Sequence, residues 1–293
     1  MKINRDMKDH ALEMPEDNTF FQWRRYGKAY LESCGIEEAM QDAKLLMEYV
    51  SGLERNAWFM RQHDEMPQAQ RASYLHLLRQ RGEHIPLQQL TGGAWFYGYY
   101  FRVNEHVLIP RQDTEILAEE ALHRLTADMK LLDMCTGSGC ILLTLMKESA
   151  CSGVGSDLSE EALEVAAANA EALSLQPTLL KGDLFAPVEG RFDMIVSNPP
   201  YIRSSVIPTL TPEVKDHEPH MALDGHADGL YFYRRITHEA GGYLKTHGWL
   251  CFEIGYDQGQ AVSALMKEAG FQEIQVIQDL AGLDRVVLGQ WNK

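Results

Sequence analysis

Several features that mark other classes of protein are missing from this sequence of 293 residues. The segment Met1–Asp17 is rich in charges of both signs and has no apolar run, so neither a secretory signal nor a membrane helix is predicted. The five cysteines are scattered and form no C-x-x-C pair, which argues against a disulfide framework and against a zinc site. We therefore expect a cytoplasmic protein without a membrane partner or a bound metal, its cysteines reduced and mostly buried.

Positive charge is also scarce. The chain has 27 Lys and Arg against 42 Asp and Glu, a net charge of −15. The residues up to Leu90 hold 12 of these bases and 14 acids, so the remainder holds 15 and 28 and carries −13 of the total. Because affinity for nucleic acid depends mainly on Lys and Arg that neutralise phosphates, a protein or small-molecule substrate is favoured over nucleic acid. The acidity is equally consistent with a role in solubility alone.

The first part of the chain has the pattern of a small helical domain. From Thr19 to about Arg81, apolar residues recur every three or four positions and β-branched residues are few. Asn56 and Pro67 mark breaks or helix starts within this stretch. The sequence therefore predicts a helical domain over residues 1–88.

The pattern then changes to that of a β-hairpin. Between Leu90 and Val107, the pair Gly92-Gly93 is followed by aromatic residues at alternating positions. We predict that residues 89–107 form a hairpin that links the helical domain to a larger one over residues 108–293.

The remaining residues alternate between apolar strand-like runs and helical segments, the first helix running from Thr114 to about Leu125. Such alternation predicts an α/β fold, with a largely parallel sheet covered by helices on both faces. Ligands of such folds bind beyond the carboxyl ends of the strands. The predicted strands are Lys130–Asp133, Gly153–Asp157, Thr178–Lys181, Phe192–Ser197, Trp249–Ile254 and a final stretch around Gln275–Ile277 with Arg285–Leu288.

A glycine-containing turn between a strand and a helix is the first candidate ligand site. It does not satisfy the dinucleotide pattern G-x-G-x-x-G, because Leu142 occupies the third glycine position, and no Walker lysine follows. Twenty-four residues after Asp133, Asp157 ends the next strand, where a carboxylate can accept hydrogen bonds from two ribose hydroxyls. We therefore predict a nucleoside without a pyrophosphate. The candidate residues of the turn are Asp133, Cys135, Thr136, Gly137, Ser138 and Gly139.

Two further residues extend this candidate site. Asp183 and Leu184 follow the third predicted strand, where the carboxylate can hold an adenine amino group and the leucine can pack on the ring. A strand-to-helix turn is also common as a purely structural feature, and the glycine turn alone does not exclude that interpretation.

Asn198-Pro199-Pro200-Tyr201 lies at the carboxyl end of a predicted strand, and we interpret it as the catalytic loop. An amide-type nitrogen is a poor nucleophile because its lone pair is delocalised, so it must be oriented to attack a sulfonium methyl group. The Asn198 oxygen and the Pro199 carbonyl can each accept a hydrogen from an NH2 group, while the prolines stiffen the loop. Tyr201 can stack on the planar group. Together with the glycine turn, this loop predicts a methyltransferase that uses S-adenosylmethionine, although an Asn-Pro turn can also be purely structural.

The chain resembles the PrmC/HemK family of peptide-chain release factor glutamine methyltransferases over nearly all of Ala39–Gly289. The sequence differs from the usual family pattern at Cys135, where glycine is common, and at Gln89, where tyrosine is common. Besides the glycine turn, the residues that carry the resemblance are Pro86–Gly92, Phe96–Gly98, Leu108–Glu115, Val196–Ile202, Glu218-Pro219, Ala222-Leu223, Asp228–Leu230, Phe252–Gly255 with Gln258, and Asp279–Gly282 with Asp284-Arg285.

The resemblance implies a helical N-terminal domain, a hairpin linker and a Rossmann-like methyltransferase domain. It also implies methyl transfer from S-adenosylmethionine to the glutamine amide of the Gly-Gly-Gln motif in class I release factors. By position, it puts the cofactor contacts on Cys135–Gly139, Asp157, Asp183 and Leu184, and the substrate-amide contacts on Asn198–Tyr201. Pro110 and Arg111 are expected to border the same cleft.

Two other functions remain open from the sequence. An adenine-specific nucleic-acid methyltransferase uses a similar Asn-Pro-Pro-Tyr loop to hold a flipped base, but it is expected to carry a basic groove and a target-recognition domain. A catalytically inactive module that serves as a binding scaffold is the other, and intact Asn198 and Asp157 argue against it.

Overall fold

The computed structural model describes residues 13–53 and 55–293, and most of the predicted charged segment Met1–Asp17 lies outside these residues. The described chain falls into two compact units, one ending at Thr91 and the other running from Gly92 to Lys293. The first unit is helical. Its helices are α1 (Phe20–Ser33), α2 (Ala39–Ser51), α3 (Arg55–Arg61), α4 (Gln68–Gly82) and α5 (Leu87–Thr91).

The predicted helical character of the first unit is confirmed. Pro67 directly precedes α4, and Asn56 is the second residue of α3. The core contains Tyr74, whose buried hydroxyl donates a hydrogen bond of 2.9 Å to the carbonyl of Ala43. A salt bridge between Arg81 and Asp42 is buried in the same unit, which ties α4 to α2.

The predicted hairpin opens the second unit and is also confirmed. Strands β1 (Gly93–Phe96) and β2 (Tyr99–Arg102) pair in antiparallel register. The two turn residues, Tyr97 and Gly98, both have positive φ, as a two-residue turn of this twist requires.

The main sheet has seven strands in the order β5-β4-β3-β6-β7-β9-β8. Strands β3 to β7 run parallel, and β9 lies antiparallel between β7 and β8. The strands are β3 (Lys130–Met134), β4 (Ser152–Asp157), β5 (Thr178–Lys181), β6 (Phe192–Ser197), β7 (Leu244–Glu253), β8 (Gln272–Gln278) and β9 (Asp284–Trp291). The predicted α/β class is therefore correct, with an antiparallel hairpin at one edge.

Helices cover both faces of this sheet, because successive residues of a strand point to opposite faces and the apolar side chains on each face must be buried. Leu131 packs on one face with the helices Thr114–Leu122 and Cys140–Ser149, whereas Leu132 packs on the other with the helices Tyr231–Tyr243 and Gly259–Ala269. The helices of this unit are α6 (Thr114–Leu122), α7 (Cys140–Ser149), α8 (Glu160–Ala172), α9 (Pro212–His217), α10 (His220–Leu223), α11 (Tyr231–Tyr243) and α12 (Gly259–Ala269), with a 3-10 turn at Ile207–Thr209.

The predicted end of α6 and the predicted start of β7 differ from those observed. Helix α6 ends at Leu122 rather than near Leu125, because the following residues tighten into a turn in which Arg124 N donates to the carbonyl of Ala121. Strand β7 begins at Leu244, five positions before the predicted Trp249. The intervening residues are mostly polar, and an irregularity in the pairing with β6 interrupts the alternation that the prediction needs.

Candidate active site

A cleft opens at the carboxyl ends of β3, β4 and β6, where the strand order reverses direction between β3 and β6. It encloses about 1000 Å3 of empty space, counting the part that is open to solvent. All of its lining residues belong to the second unit, and Pro110 and Arg111 are among them, as expected. The cleft also includes most of the residues that the sequence singled out.

The residues Cys135–Ser138 form one wall of the cleft, whereas Gly139, the N-cap of α7, was predicted to bind the cofactor but does not line the cleft. Cys135, Gly137 and Gly139 all have positive φ. A Cβ atom added to Gly137 would meet no protein atom within 4 Å, so the backbone there faces free space. Cys135 has a φ of 62°, a left-handed conformation that glycine adopts without strain and that a residue with a Cβ atom adopts only at a cost.

Asp133 supports the turn from behind and does not line the cleft. Its side chain is fully buried, and Oδ2 accepts a hydrogen bond of 2.6 Å from the hydroxyl of Thr136. Burial raises the pKa of this carboxyl to about 7. The contact fixes the shape of the turn, whereas Cys135, Thr136, Gly137 and Ser138 present the wall itself.

Asp157 closes the end of β4 and does line the cleft. Oδ2 accepts from Gly137 N at 2.9 Å and Oδ1 accepts from Ser159 N at 3.0 Å. Burial raises the pKa of this carboxyl, although the backbone donors oppose the shift. Each carboxylate oxygen retains a second acceptor position, so the side chain can still receive two hydroxyl groups.

Asp183 and Leu184 follow β5 and border the cleft beside this carboxylate. Asp183 forms a two-point salt bridge with Arg235, with both N–O distances at 2.9 Å. Leu184 is buried and has a positive φ. The turn thus presents a fixed acidic group next to an apolar surface.

The loop Asn198–Tyr201 follows β6, the neighbour of β3, so it reaches the cleft opposite the glycine turn. Asn198 and Pro200 line the cleft, whereas Pro199 is buried and Tyr201 lies behind the lining. Asn198 Nδ2 lies 3.4 Å from the hydroxyl oxygen of Thr114, the first residue of α6. The sheet therefore brings the predicted catalytic loop and the predicted cofactor turn to one cleft.

Tyr201 is held at both ends. Its hydroxyl donates to Glu253 Oε1 at 3.2 Å, and its carbonyl accepts from Gln258 Nε2 at 3.1 Å. A Cβ at Gly225 would lie 2.7 Å from the Cα of Tyr201, so this close approach of two backbones requires glycine. Burial raises the pKa of Tyr201 well above its usual value, which keeps the hydroxyl protonated.

An ion pair joins Arg111, which lines the cleft, to Glu218. Arg111 Nη2 lies 2.6 Å and 2.7 Å from the two carboxylate oxygens of Glu218, whose side chain is almost completely buried. This pair connects the segment before α6 to the segment between α9 and α10.

Sequence reasoning assigned no role to Glu253, Thr114, Gln258 or Gly225. These residues lie far from Asn198–Tyr201 in the chain. Glu253, Thr114 and Gln258 belong to the motifs that carry the family resemblance, whereas Gly225 belongs to none of them.

Other features of the described residues bear on the type of site. In ranges 13–53 and 55–293, no three His, Cys, Asp or Glu side chains lie close enough to hold a metal ion. Each of the five cysteines is free, and three of them are buried. Of the helices described, none combines the length and the apolar character needed to cross a membrane.

Comparisons with known proteins agree with this geometry. Residues 22–92 match the family model of the PrmC N-terminal domain, and residues 112–211 match that of the methyltransferase small domain. A release factor glutamine methyltransferase of Caulobacter vibrioides is 41% identical over 271 residues, covering 90% of this chain and 94% of that protein. A protein of the same name from Geobacter sulfurreducens is 39% identical over 280 residues, covering 95% and 99%.

Solved structures support the fold. A methyltransferase from Pyrococcus furiosus superposes with a TM-score of 0.53 at 18% identity, covering 68% of this chain and 91% of that one. Fold and site together define a Rossmann-like methyltransferase. The chain belongs to the release factor glutamine methyltransferase family.

Proposed function

We propose that this enzyme transfers the methyl group of S-adenosylmethionine to the side-chain amide nitrogen of the glutamine in the Gly-Gly-Gln motif of class I release factors. The observation that carries the proposal is that Asn198 and the turn residues Cys135–Ser138 line the same cleft. The full-length relationship to enzymes named for release factor glutamine methylation supports the substrate.

The residues of the cleft fit S-adenosylmethionine. Asp157 offers acceptor positions for the two ribose hydroxyls, and Gly137 leaves space for close approach to the backbone. Leu184 offers an apolar surface for the adenine ring, and Asp183 can accept from its amino group while it stays paired with Arg235. The cofactor supplies an electrophilic methyl group on a positively charged sulfur.

The chain's own contribution to the reaction is positioning. Asn198 Oδ1 and the Pro199 carbonyl accept the two hydrogens of the substrate NH2 group, which orients the nitrogen toward the methyl donor. Pro199 and Pro200 hold this loop rigid, and Tyr201, fixed at both ends, limits the movement of the substrate amide. The amide proton is lost to water after transfer, so no general base is needed.

We also propose roles for the parts of the chain outside the cleft. The helical unit over residues 1–88 binds the release factor away from its glutamine, and residues 89–107 link it to the methyltransferase domain. The near-neutral charge of the residues up to Leu90, 12 bases against 14 acids, supports a protein partner over nucleic acid. The enzyme works in the cytoplasm and needs neither nucleic acid nor a membrane.

The test uses the purified protein with radiolabelled S-adenosylmethionine. A class I release factor is offered with its Gly-Gly-Gln motif or with Gly-Gly-Ala, and DNA is offered in parallel. Label on the glutamine form alone supports the proposal, and Asn198→Ala serves as the inactive control. Label on DNA would favour an adenine methyltransferase, and label on no substrate would favour a binding scaffold.

A further inference from the structure

A buried carboxylate lies behind the loop Asn198–Tyr201. Glu253 is the last residue of β7, which pairs with β6, and its side chain is almost completely buried. Oε1 accepts from the hydroxyl of Tyr201, but Oε2 has no hydrogen-bond partner among the described residues. A buried carboxylate that is only partly satisfied destabilises a fold, so its presence beside the catalytic loop calls for a functional reason.

Thr114 links the same carboxylate to Asn198. Its hydroxyl faces Glu253 and, like that of Tyr201, lowers the pKa of the carboxyl, although the contact falls short of a full hydrogen bond to Oε2. The same hydroxyl oxygen lies 3.4 Å from Asn198 Nδ2, and the Thr114 side chain is buried. Glu253 is thus connected to Tyr201 directly and to Asn198 through Thr114.

We propose that Glu253 is a positioning residue which, through the Thr114 hydroxyl, sets the orientation of the Asn198 side-chain amide. This inference rests on the proposed function, because the orientation of the Asn198 amide matters only if Oδ1 must accept a hydrogen from the substrate NH2 group.

The orientation of Asn198 depends on which of the groups in this chain, Glu253, Thr114 and Asn198, can donate a hydrogen bond. An ionised carboxylate only accepts, so the Thr114 hydroxyl must give its hydrogen to Glu253 and keep its lone pairs for Asn198. Asn198 then turns Nδ2 toward Thr114, which leaves Oδ1 for the cleft, where it accepts from the substrate amide. A neutral Glu253 can instead donate to Thr114, which frees the hydroxyl to donate to a flipped Asn198.

The charge state of Glu253 therefore affects the reaction. Burial raises the pKa of this carboxyl to about 7, although the hydrogen bond from Tyr201 and the nearby Thr114 hydroxyl both lower it. Of the other groups that face it, Asp113 before α6 raises the pKa and Arg285 on β9 lowers it, and Tyr233 of α11 donates to the Glu253 carbonyl. Methyl transfer should increase as pH rises past about 7, because the ionised form selects the productive orientation.

Three substitutions of buried threonines test the proposal. Thr114→Val removes the hydroxyl at nearly constant volume, and Thr114→Ser keeps it. Thr144→Val is the matched control, since Thr144 in α7 is fully buried and its hydroxyl has no partner among the described residues. The rate constant kcat and the KM for a class I release factor are measured, together with the Kd for S-adenosylmethionine and the Tm.

Thr114→Val is expected to lower kcat about tenfold or more, because misplacement of a reacting group acts on the chemical step. The Kd for S-adenosylmethionine should stay near the wild-type value. Thr114→Ser should recover most of the lost rate, and Thr144→Val should behave as the wild type. The increase of kcat with pH should flatten in Thr114→Val and in Glu253→Gln.

The outcomes separate this proposal from the function on which it rests. A wild-type kcat in Thr114→Val, or equal losses in the Val and Ser variants together with loss of cofactor binding, would overturn the role of Glu253 alone. A wild-type protein that methylates no release factor would overturn the proposed function, and the orientation of Asn198 with it.

Discussion

Replacing Glu253 by Gln is expected to stabilise the fold above neutral pH. Burial raises the pKa of this carboxyl from 4.5 to about 7. Between these values the folded protein keeps a proton that the unfolded chain has lost, so stability falls as the pH rises through this window. At about 1.4 kcal/mol per pKa unit, the full loss is about 3 kcal/mol above pH 7 and vanishes below pH 4.5.

Gln keeps the volume of Glu and can accept from Tyr201, but its amide adds a buried donor that must find an acceptor such as the Thr114 hydroxyl. We therefore expect a net gain of about 1 to 3 kcal/mol near pH 8 and little change near pH 5. Urea unfolding at both pH values measures the difference between variant and wild type. Burial also raises the pKa of Asp133 to about 7, but this carboxyl is present in both proteins, so its contribution cancels in the difference.

The control is Glu189→Gln, which removes the same charge from an exposed position. It should show no gain between the two pH values. If Glu253→Gln were no more stable than the wild type near pH 8, the buried carboxylate would not be a source of strain, and the pH dependence derived from it would be wrong.

Three further predictions concern other parts of the chain. Asp157→Ala should weaken S-adenosylmethionine binding about tenfold or more in calorimetry, because hydrogen bonds to a charged group are each worth about 1.5 to 3 kcal/mol. An unchanged affinity would mean that this residue does not bind the cofactor. Arg111→Met leaves the buried Glu218 without its ion pair, so the free energy of unfolding should fall by about 1 to 3 kcal/mol. The loss should be smaller than for a fully buried pair, because the Arg111 side chain is 42% exposed. No loss would mean that water replaces the arginine. Leu78→Ala should destabilise the helical unit by about 2 to 5 kcal/mol while the Kd for S-adenosylmethionine stays constant; a parallel loss of cofactor affinity would contradict independent stability of the two units.

The parts of the fold that the sequence predicted correctly are those with a strong local pattern. Strands Thr178–Lys181 and Phe192–Ser197 were predicted at their observed bounds. Phe192–Ser197 is mostly buried and forms the short apolar run typical of a parallel strand covered on both faces, whereas Thr178–Lys181 is an edge strand with exposed ends. The start of β7 was missed because Lys245–His247 is polar and belongs to an irregular part of the pairing. The antiparallel placement of β9 depends on contacts across the sheet, and no local pattern encodes it.

The same distinction applies to the candidate site. The glycine turn and Asn198–Tyr201 are contiguous motifs, so their chemistry can be recognised from neighbouring residues. Thr114 and Glu253 act on Asn198 from more than fifty positions away on either side, and only the order of strands brings them together. Their roles could not be predicted from periodicity or spacing.

The local departures from ordinary protein chemistry gather around this cleft. Cys135 has a backbone conformation suited to glycine, and Asp133 and Glu253 are carboxyls buried with one oxygen lacking a hydrogen-bond partner among the described residues. Each lowers the stability of the fold, and a sequence selected for stability alone would replace them. Their concentration at the ends of β3 and β7 is explained if rigid placement of the turn and of the loop Asn198–Tyr201 matters more than the stability lost. An enzyme that works by orienting a weak nucleophile depends on such placement, because a misdirected amide nitrogen cannot attack the methyl group.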